Sequence, residues 1–469
     1  MERAGLAAAE VARTMAGERG GTVLVLAGPG NNGGDGFVVA RWLRHWFFEV
    51  TVVFRAGSAR LPVDAAAALA AFRDAGGTTV DAIPAGWRGA LVVDGLFGIG
   101  LARAPSADYA AMIDWVNASG SPILALDVPS GLDAETGFAF APAIRATATA
   151  TFIALKPGLL TGDGIDLCGR ISVHSLGLHA EVESAARGHR LDWSAVSHTL
   201  PEVLRRRIRN VHKGTFGTLG IVGGALGMTG APLLAGRAAL HAGAGKVWTG
   251  FAAAEFPSVD WETPELMLRS ADQVVGADAD ALACGTGLGT DAAAKSLVAR
   301  AIAAKAPLVL DADALNVIAG DPSLAQAVAQ RKASTIATPH PAEAARLLGK
   351  KVAEVQADRL GAAQALSAML HASVVVKGAG SVLAHPDGSW DINATGNPGL
   401  SSAGSGDVLT GFVAALLAQK IDARTALRIG VCLHGAAADA CVAAGAGPLG
   451  LTASELIPAA RTLLNLAAR

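Results

Sequence analysis

Short runs of β-branched and aliphatic residues alternate along this chain with alanine-rich stretches of helical length, a pattern that predicts parallel strands joined by crossover helices. In the first half the predicted strands are Thr22 to Ala27, Val50 to Phe54, Ala90 to Val93, Ile123 to Leu126 and Ala148 to Ile153, each followed by glycine or a polar turn. The rhythm breaks between about Val182 and Asn210, where Trp193, Pro201 and the basic run Arg205-Arg206-Arg207-Ile208-Arg209 stand and no strand-like run is evident. It resumes with Thr218 to Val222, then near Leu282, at Leu308 to Leu310, Ser334 to Ala337 and Ser373 to Val376, and ends in long alanine-rich helices. The expectation is two α/β domains, residues 1–200 and 201–469, the second not a repeat of the first. Parallel sheets bind ligands outside the carboxyl ends of their strands, so the residues just after each strand are the candidates for function.

Composition narrows the ligand class. A chain of 469 residues, 51% of them hydrophobic, can bury large cores, and its 57 glycines fall in short motifs without a collagen-like period, as expected of backbone-lined sites for small molecules. A formal charge of -2 gives no field for wrapping nucleic acid, and the basic run reads as a solvated helix end or linker. No uninterrupted apolar run approaches the roughly 20 residues that span a bilayer, and the start lacks the build of a signal peptide. The expectation is a cytoplasmic protein with small-molecule partners, no nucleic acid and no membrane. Cys168, Cys284, Cys432 and Cys441 show neither a CxxC pair nor a histidine at metal-ligand spacing, so they read as buried free thiols.

In the first half, Gly28-Pro29-Gly30-Asn31-Asn32-Gly33-Gly34-Asp35-Gly36 follows a strand and opens a helix, so bare amides and a helix N-terminus make an anion pocket. It is neither GxGxxG nor a Walker loop. Two more strand ends carry polar groups: Asp94-Gly95-Leu96-Phe97-Gly98-Ile99-Gly100-Leu101, and Asp127-Val128-Pro129-Ser130-Gly131-Leu132-Asp133. One such aspartate alone reads as a helix cap, whereas three polar strand ends with glycines between them read as a site.

Together, GPGNNGGDG, DGLFGIGL and DVPSGLD resemble the NAD(P)H-hydrate epimerase domain. The resemblance implies a Rossmann-like three-layer fold, a potassium ion on Asn32, Asp94 and Ser130, and a substrate embraced by Asn31, Asn32, Gly33, Gly34 and Asp35 with Gly98, Ile99, Gly100, Leu101, Ala102, Arg103 and Ala104. Amide, carboxylate and hydroxyl oxygens are the hard donors that such a cation takes. Asp127 is implied to touch the substrate and is the candidate acid-base group for inversion at C6 of the hydrated ring, a proton transfer without redox chemistry. Family members carry a further helical segment ahead of the glycine motif, so a start at Met1-Glu2-Arg3-Ala4-Gly5 reads as trimmed.

The second half opens with His212-Lys213-Gly214-Thr215-Phe216-Gly217 and carries glycine groups at Gly223 to Gly230 and Gly243 to Gly245. Gly285-Thr286-Gly287-Leu288-Gly289 and Asp311-Ala312-Asp313-Ala314-Leu315-Asn316 follow two further strands. Lys377-Gly378-Ala379-Gly380-Ser381 precedes Gly404-Ser405-Gly406-Asp407, which stands before the apolar helix predicted over Val408 to Leu417. Amides at such a helix start can neutralise a transferring phosphoryl group, while Asp407 deprotonates the attacking hydroxyl. With Thr338-Pro339-His340-Pro341-Ala342-Glu343, the set resembles the ribokinase-like ADP-dependent NAD(P)H-hydrate dehydratase. That resemblance implies that Ala231, Gly287, His340 and Asp407 touch the hydrated nucleotide (NADHX or NADPHX). It also implies that Lys377, Gly378, Ala379, Gly380, Ser381 and Gly406 hold ADP, that Mg2+ accompanies the phosphates, and that the enzyme is a homo-oligomer. The chain departs from the family pattern at Gly285-Thr286, where Gly-Pro is common, at Ser381 for Thr, and at Ser402-Ala403-Gly404-Ser405 for Thr-Gly-Gly-Thr.

The expected protein is therefore a bifunctional epimerase and dehydratase of hydrated NAD(P)H. The alternative is a ribokinase-like kinase of a small alcohol or vitamin fused to a catalytically silent nucleotide-binding domain, since the anion hole and Asp407 serve that chemistry equally well.

Overall fold

The computed structural model describes residues 1–17, 21–55, 61–207 and 209–468; Ile208 of the basic run lies outside them. The chain divides into two compact units, residues 1–186 and 187–469.

The first unit is built on strands β1 (Thr22–Ala27), β2 (Glu49–Val53), β3 (Thr79–Val80), β4 (Leu91–Gly95), β5 (Ile123–Leu126), β6 (Ala148–Phe152) and β7 (Arg170–His174). They form one sheet in the order β3-β2-β1-β4-β5-β6-β7, with every pairing parallel. This is the doubly wound order, whose switch point lies between β1 and β4. Central strands such as Thr-Val-Leu-Val-Leu-Ala are apolar along their whole length because both faces are covered. Val23 and Val25 point to a core shared with helices Glu2–Ala16, Asn31–His45 and Val63–Asp74, while Leu24 and Leu26 point to one shared with Ala107–Ala118. The helix Glu2–Ala16 lies ahead of β1 in a stretch that the strand pattern left unassigned.

The second unit carries ten strands: β8 (Gly188–Leu191), β9 (Thr218–Gly223), β10 (Lys246–Phe251), β11 (Met267–Ser270), β12 (Ala281–Cys284), β13 (Leu308–Leu310), β14 (Thr335–Ala337), β15 (Ser373–Val376), β16 (Val382–Ala384) and β17 (Trp390–Asn393). Their order is β11-β10-β9-β12-β13-β14-β15-β16-β17-β8. The sheet is parallel from β11 to β15 and turns antiparallel at β16 and β17. One face carries helices Gly230–His241, Ser405–Ala418, Ala423–Ala443 and Ala453–Ala467 over a large aliphatic core. Ala423–Ala443 is long and apolar enough to cross a bilayer, yet most of its side chains are buried in that core.

Two sequence expectations change here. Gly188-His189-Arg190-Leu191 lies in the stretch expected to hold no strand, yet it is β8, which pairs in parallel with β17 at the sheet edge. Its polar, half-exposed sequence has no strand signature of its own, so the pairing partner supplies the structure. For the same reason residues 187–200, assigned from sequence to the first domain, cluster with the second unit. All four cysteines are buried thiols, and burial pushes Cys168, Cys284 and Cys432 up to about 12.

Candidate active sites

At the switch point of the first sheet the glycine motif is fixed by close backbone approach. A Cβ on Gly28 would lie 1.7 Å from the Leu96 carbonyl oxygen, and one on Gly33 would lie 2.0 Å from the Gly28 carbonyl oxygen. Only glycine lets the loop after β1 sit this tightly against the loop after β4. The helix then starts at Asn31, which presents Asn32 to the same loop: its Nδ2 donates to the Phe97 carbonyl at 2.9 Å. Asp94, at the end of β4, is fully buried. Its Oδ1 accepts from the Ser130 hydroxyl at 2.6 Å and from the Leu96 amide at 3.2 Å, and its Oδ2 accepts from the Ser130 amide at 2.8 Å. The Ser130 Oγ in turn accepts from the Phe97 amide at 2.9 Å. Asn32, Asp94 and Ser130 thus converge around the Phe97 backbone. Burial raises the Asp94 carboxyl to about 6 against the pull of the Ser130 and Leu96 bonds, and among the described residues no lysine, arginine or histidine pairs with it.

Asp127 follows β5 directly with φ at +63°, a left-handed conformation that aspartate adopts more readily than most residues. Its Oδ1 accepts from Thr151 Oγ1 and the Phe152 amide, each at 3.1 Å, and from Lys156 Nζ. Lys156 Nζ also donates to Thr151 Oγ1 at 2.9 Å and to the Phe152 carbonyl at 2.7 Å, so it is locked beside the aspartate. Asp35 stands at the start of the second turn of its helix with a buried Oδ1 that has no hydrogen-bond partner. Burial raises its carboxyl to about 7, the Met1 amine opposing and the charge of Asp127 adding. At the start of the loop Gly98 to Ala104 a Cβ on Gly98 would lie 3.4 Å from the Asn32 side chain, while Ile99 is exposed.

The second unit assembles its charges at the ends of β13 and β15 and the start of the helix Ser405–Ala418. Asp311 is buried, with Oδ1 accepting from Lys377 Nζ at 2.9 Å and Oδ2 from Thr410 Oγ1 at 2.8 Å. Ala312, next to it, has φ +50° and ψ -117°, a conformation costing about 1–3 kcal/mol that turns Asp311 and Asp313 toward different partners. Asp313 receives the Gly289 amide at 2.8 Å. Asp407 lies one turn before Thr410. Burial first, then the charges of Asp311 and Asp313, raise its carboxyl to about 7, with Lys377 pulling the other way. Burial lowers Lys377, but Asp311, Glu343 and Asp407 more than offset this and its net shift is upward. Gly406 faces the pair: a Cβ there would lie 3.4 Å from Lys377 Nζ.

The turn after Lys377 is closed by Ser381, whose hydroxyl accepts from the Gly378 amide at 3.2 Å and donates to the Gly378 carbonyl at 3.0 Å. Buried Arg359 braces it from beneath by donating to the Ala379 carbonyl at 2.7 Å. Gly287 and Ala231 adjoin, since a Cβ on Gly287 would meet that of Ala231 at 3.1 Å. His340 caps the helix Pro341–Leu348: its Nδ1 accepts the Ala342 amide at 3.0 Å and its Nε2 lies 3.1 Å from Glu343 Oε1. The Lys377 amide donates to the Pro339 carbonyl at 2.9 Å, which ties the His340 turn to the lysine.

Against known proteins, residues 1–158 match the family described as YjeF-related protein N-terminus, and residues 219–460 match NAD(P)H-hydrate dehydratase. The bifunctional NAD(P)H-hydrate repair enzyme of Escherichia coli is 40% identical over 450 residues, covering 94% of this chain and 85% of its own. The chain belongs to the bifunctional NAD(P)H-hydrate repair enzymes. The ADP-dependent (S)-NAD(P)H-hydrate dehydratase of Neisseria meningitidis is 46% identical over 269 residues, which is 56% of this chain and 90% of that one. The crystal structure of the ADP/ATP-dependent NAD(P)H-hydrate dehydratase from Bacillus subtilis, co-crystallised with ATP/Mg2+, superposes with a TM-score of 0.52 at 31% identity. It covers 60% of this chain and 98% of its own.

Sequence reasoning missed Lys156, the Phe97 carbonyl, Thr410 and Arg359. Lys156 stands just beyond β6, where the strand-end rule looks, and Thr410 lies one helical turn after Asp407, so both carried a usable signal. A backbone carbonyl and a distant arginine carried none.

Proposed function

We propose that this chain repairs hydrated NAD(P)H, its first unit interconverting the R and S hydrates and its second dehydrating the S form at the expense of ADP. The observation that carries this proposal is the coexistence, in one chain that aligns along most of its length with the bifunctional relatives, of the Asn32–Asp94–Ser130 cluster and the Lys377–Asp311–Asp407 cluster.

In the first unit, Asn32, Asp94 and Ser130, with the Phe97 carbonyl, would hold potassium. A buried carboxylate without a cationic side chain, ringed by hard oxygen donors, fits such an ion. Potassium bound there would supply the positive charge that favours ionised Asp94. Asn31 to Asp35 and Gly98 to Ala104 embrace the hydrate. Lys156 and Thr151 hold the Asp127 carboxylate, which would move the proton of the C6 carbinolamine, and Asp35, its carboxyl raised to about 7 by burial, would share that proton.

In the second unit, Asp407 takes the C6 hydroxyl proton as that oxygen attacks the β-phosphorus of ADP and the bond to AMP breaks. The amides of Ser405, Gly406 and Asp407, with Lys377, receive the developing charge. The C6–O bond then breaks with phosphate as leaving group, C5 loses a proton, and the C5=C6 bond of NAD(P)H is restored. Lys377 to Ser381 and Gly406 face the nucleotide; Ala231, Gly287 and His340 face the hydrate. Among the described residues no group of three or more His, Cys, Asp or Glu side chains is placed to hold a metal. Magnesium would accordingly come with the nucleotide phosphates and neutralise their charge. The buried free thiols suit a cytoplasmic location.

The test is a mixture of R and S hydrates of NADH given ADP and magnesium, followed by the return of reduced-nicotinamide absorbance. The proposal expects full, ADP-dependent recovery. Recovery stopping near half would remove the epimerase, and recovery without ADP would remove the phosphoryl-transfer mechanism.

A further inference from the structure

The helix Ala423–Ala443 packs against the helix Ser405–Ala418, and its last turns meet the loop that leads to Asp407. Asp439 gives one oxygen to each of two donors on that loop: Oδ2 accepts the Gly396 amide at 2.8 Å and Oδ1 accepts Asn397 Nδ2 at 2.9 Å. Asn397 passes the constraint on, because its Oδ1 accepts the Gly399 amide at 3.0 Å. The loop lies directly on the helix. A Cβ on Gly435 would fall 2.3 Å from Thr395 Oγ1 and 2.6 Å from the Thr395 backbone, and Thr395 Oγ1 stands 2.9 Å from the Cys432 carbonyl oxygen.

The far end of the loop is closed on itself. Ser405 Oγ donates to the Leu400 carbonyl at 2.8 Å, and on the helix His434 is buried edge-on against Phe412, where burial lowers it to about 4 and leaves it neutral. The run from Thr395 to Ser405 is thus tied to the helix at its start and closed by Ser405 at its end. Its amides at Ser405, Gly406 and Asp407 open the helix that carries the base.

We infer that Asp439 is a positioning residue for phosphoryl transfer, its two carboxylate oxygens fixing the Gly396-Asn397 turn and through it the anion-holding amides ahead of Asp407. An acceptor-only group is required, since both partners are donors; asparagine would set its own N–H against one of them. The inference rests on the phosphoryl-transfer reading of this site.

Asp439→Asn in the full chain, assayed with ADP, magnesium and S-NADH hydrate, should lower kcat about 10- to 100-fold, the scale of an ångström of misplacement, with KM for ADP changed less than about threefold. An unchanged unfolding transition of the second unit in chemical denaturation reports that this unit is folded in the variant. Asn397→Ala removes the loop side of one bond and should cost less, and the double variant should be no slower than Asp439→Asn alone. Amide hydrogen exchange over residues 395–407 should rise in Asp439→Asn. Unchanged kcat, a rise confined to KM, or additive losses in the double variant would overturn the inference. Were the unmodified chain to leave the hydrate untouched, the phosphoryl-transfer reading would fall, and exchange at 395–407 unchanged by Asp439→Asn would separately overturn the loop-holding role.

Discussion

The two units solve one electrostatic problem in opposite ways. Each has a fully or almost fully buried aspartate at the carboxyl end of a central parallel strand, Asp94 in the last residues of β4 and Asp311 just after β13. Asp311 meets a built-in cation, Lys377, at 2.9 Å and a hydroxyl, Thr410, at 2.8 Å. Asp94 meets a hydroxyl and two amides but no cationic side chain among the described residues, and burial raises it to about 6. A buried carboxylate costs several kcal/mol unless a positive charge accompanies it. The second unit therefore keeps its counter-charge in the fold, whereas on the proposed reading the first would take it from a potassium ion in solution. The division fits the chemistry: the second site must receive a polyanionic nucleotide and needs fixed positive charge, while the first inverts one carbon and needs a firm, polar grip.

Asp407→Asn gives the largest predicted effect. Dehydration of the S hydrate should fall by about 10²–10⁴-fold while R/S interconversion continues, measured as recovered absorbance against chiral separation of the hydrates. Equal loss of both activities would break the division into independent sites. Next, Lys377→Met should destabilise the second unit by about 3–5 kcal/mol in chemical denaturation, because Asp311 is left buried and unpaired. Ser130→Ala should cost the first unit about 1.5–3 kcal/mol through the lost bond to Asp94, and slow only epimerisation.

The smallest effect lies in the pH dependence. Asp407 must be ionised to accept a proton, and burial with Asp311 and Asp313 holds its carboxyl near 7, so kcat/KM for dehydration should climb from acid pH and level off above about 7. Lys377 opposes that shift, and a Lys377→Met variant retaining activity should carry the same limb to higher pH. A profile already flat at pH 5 would show that Asp407 is not the titrating base.

Much of this was legible in the sequence because the sites obey the strand-end rule. Val23 to Ala27 and Leu91 to Val93 announce themselves as buried strands, and Asn32, Asp94 and Ser130, far apart in the chain, meet because each follows a neighbouring strand. Gly188 to Leu191 was illegible because its strand character comes from β17 and not from its own polar residues. The Phe97 carbonyl is backbone and has no letter of its own. Asp439 lies 43 residues from Gly396 on a helix face that otherwise reads as core, so only the folded contact reveals it. Local pattern predicts which strand ends carry chemistry, but the residues that hold those ends in place belong to other elements.

The central claim, one counter-charge built in and one borrowed, is tested most directly by replacing potassium with choline while a mixture of R and S hydrates is repaired with ADP and magnesium. The account predicts that the S portion recovers at an unchanged rate while recovery of the R portion slows at least tenfold. Loss of both phases together, or of neither, would contradict it.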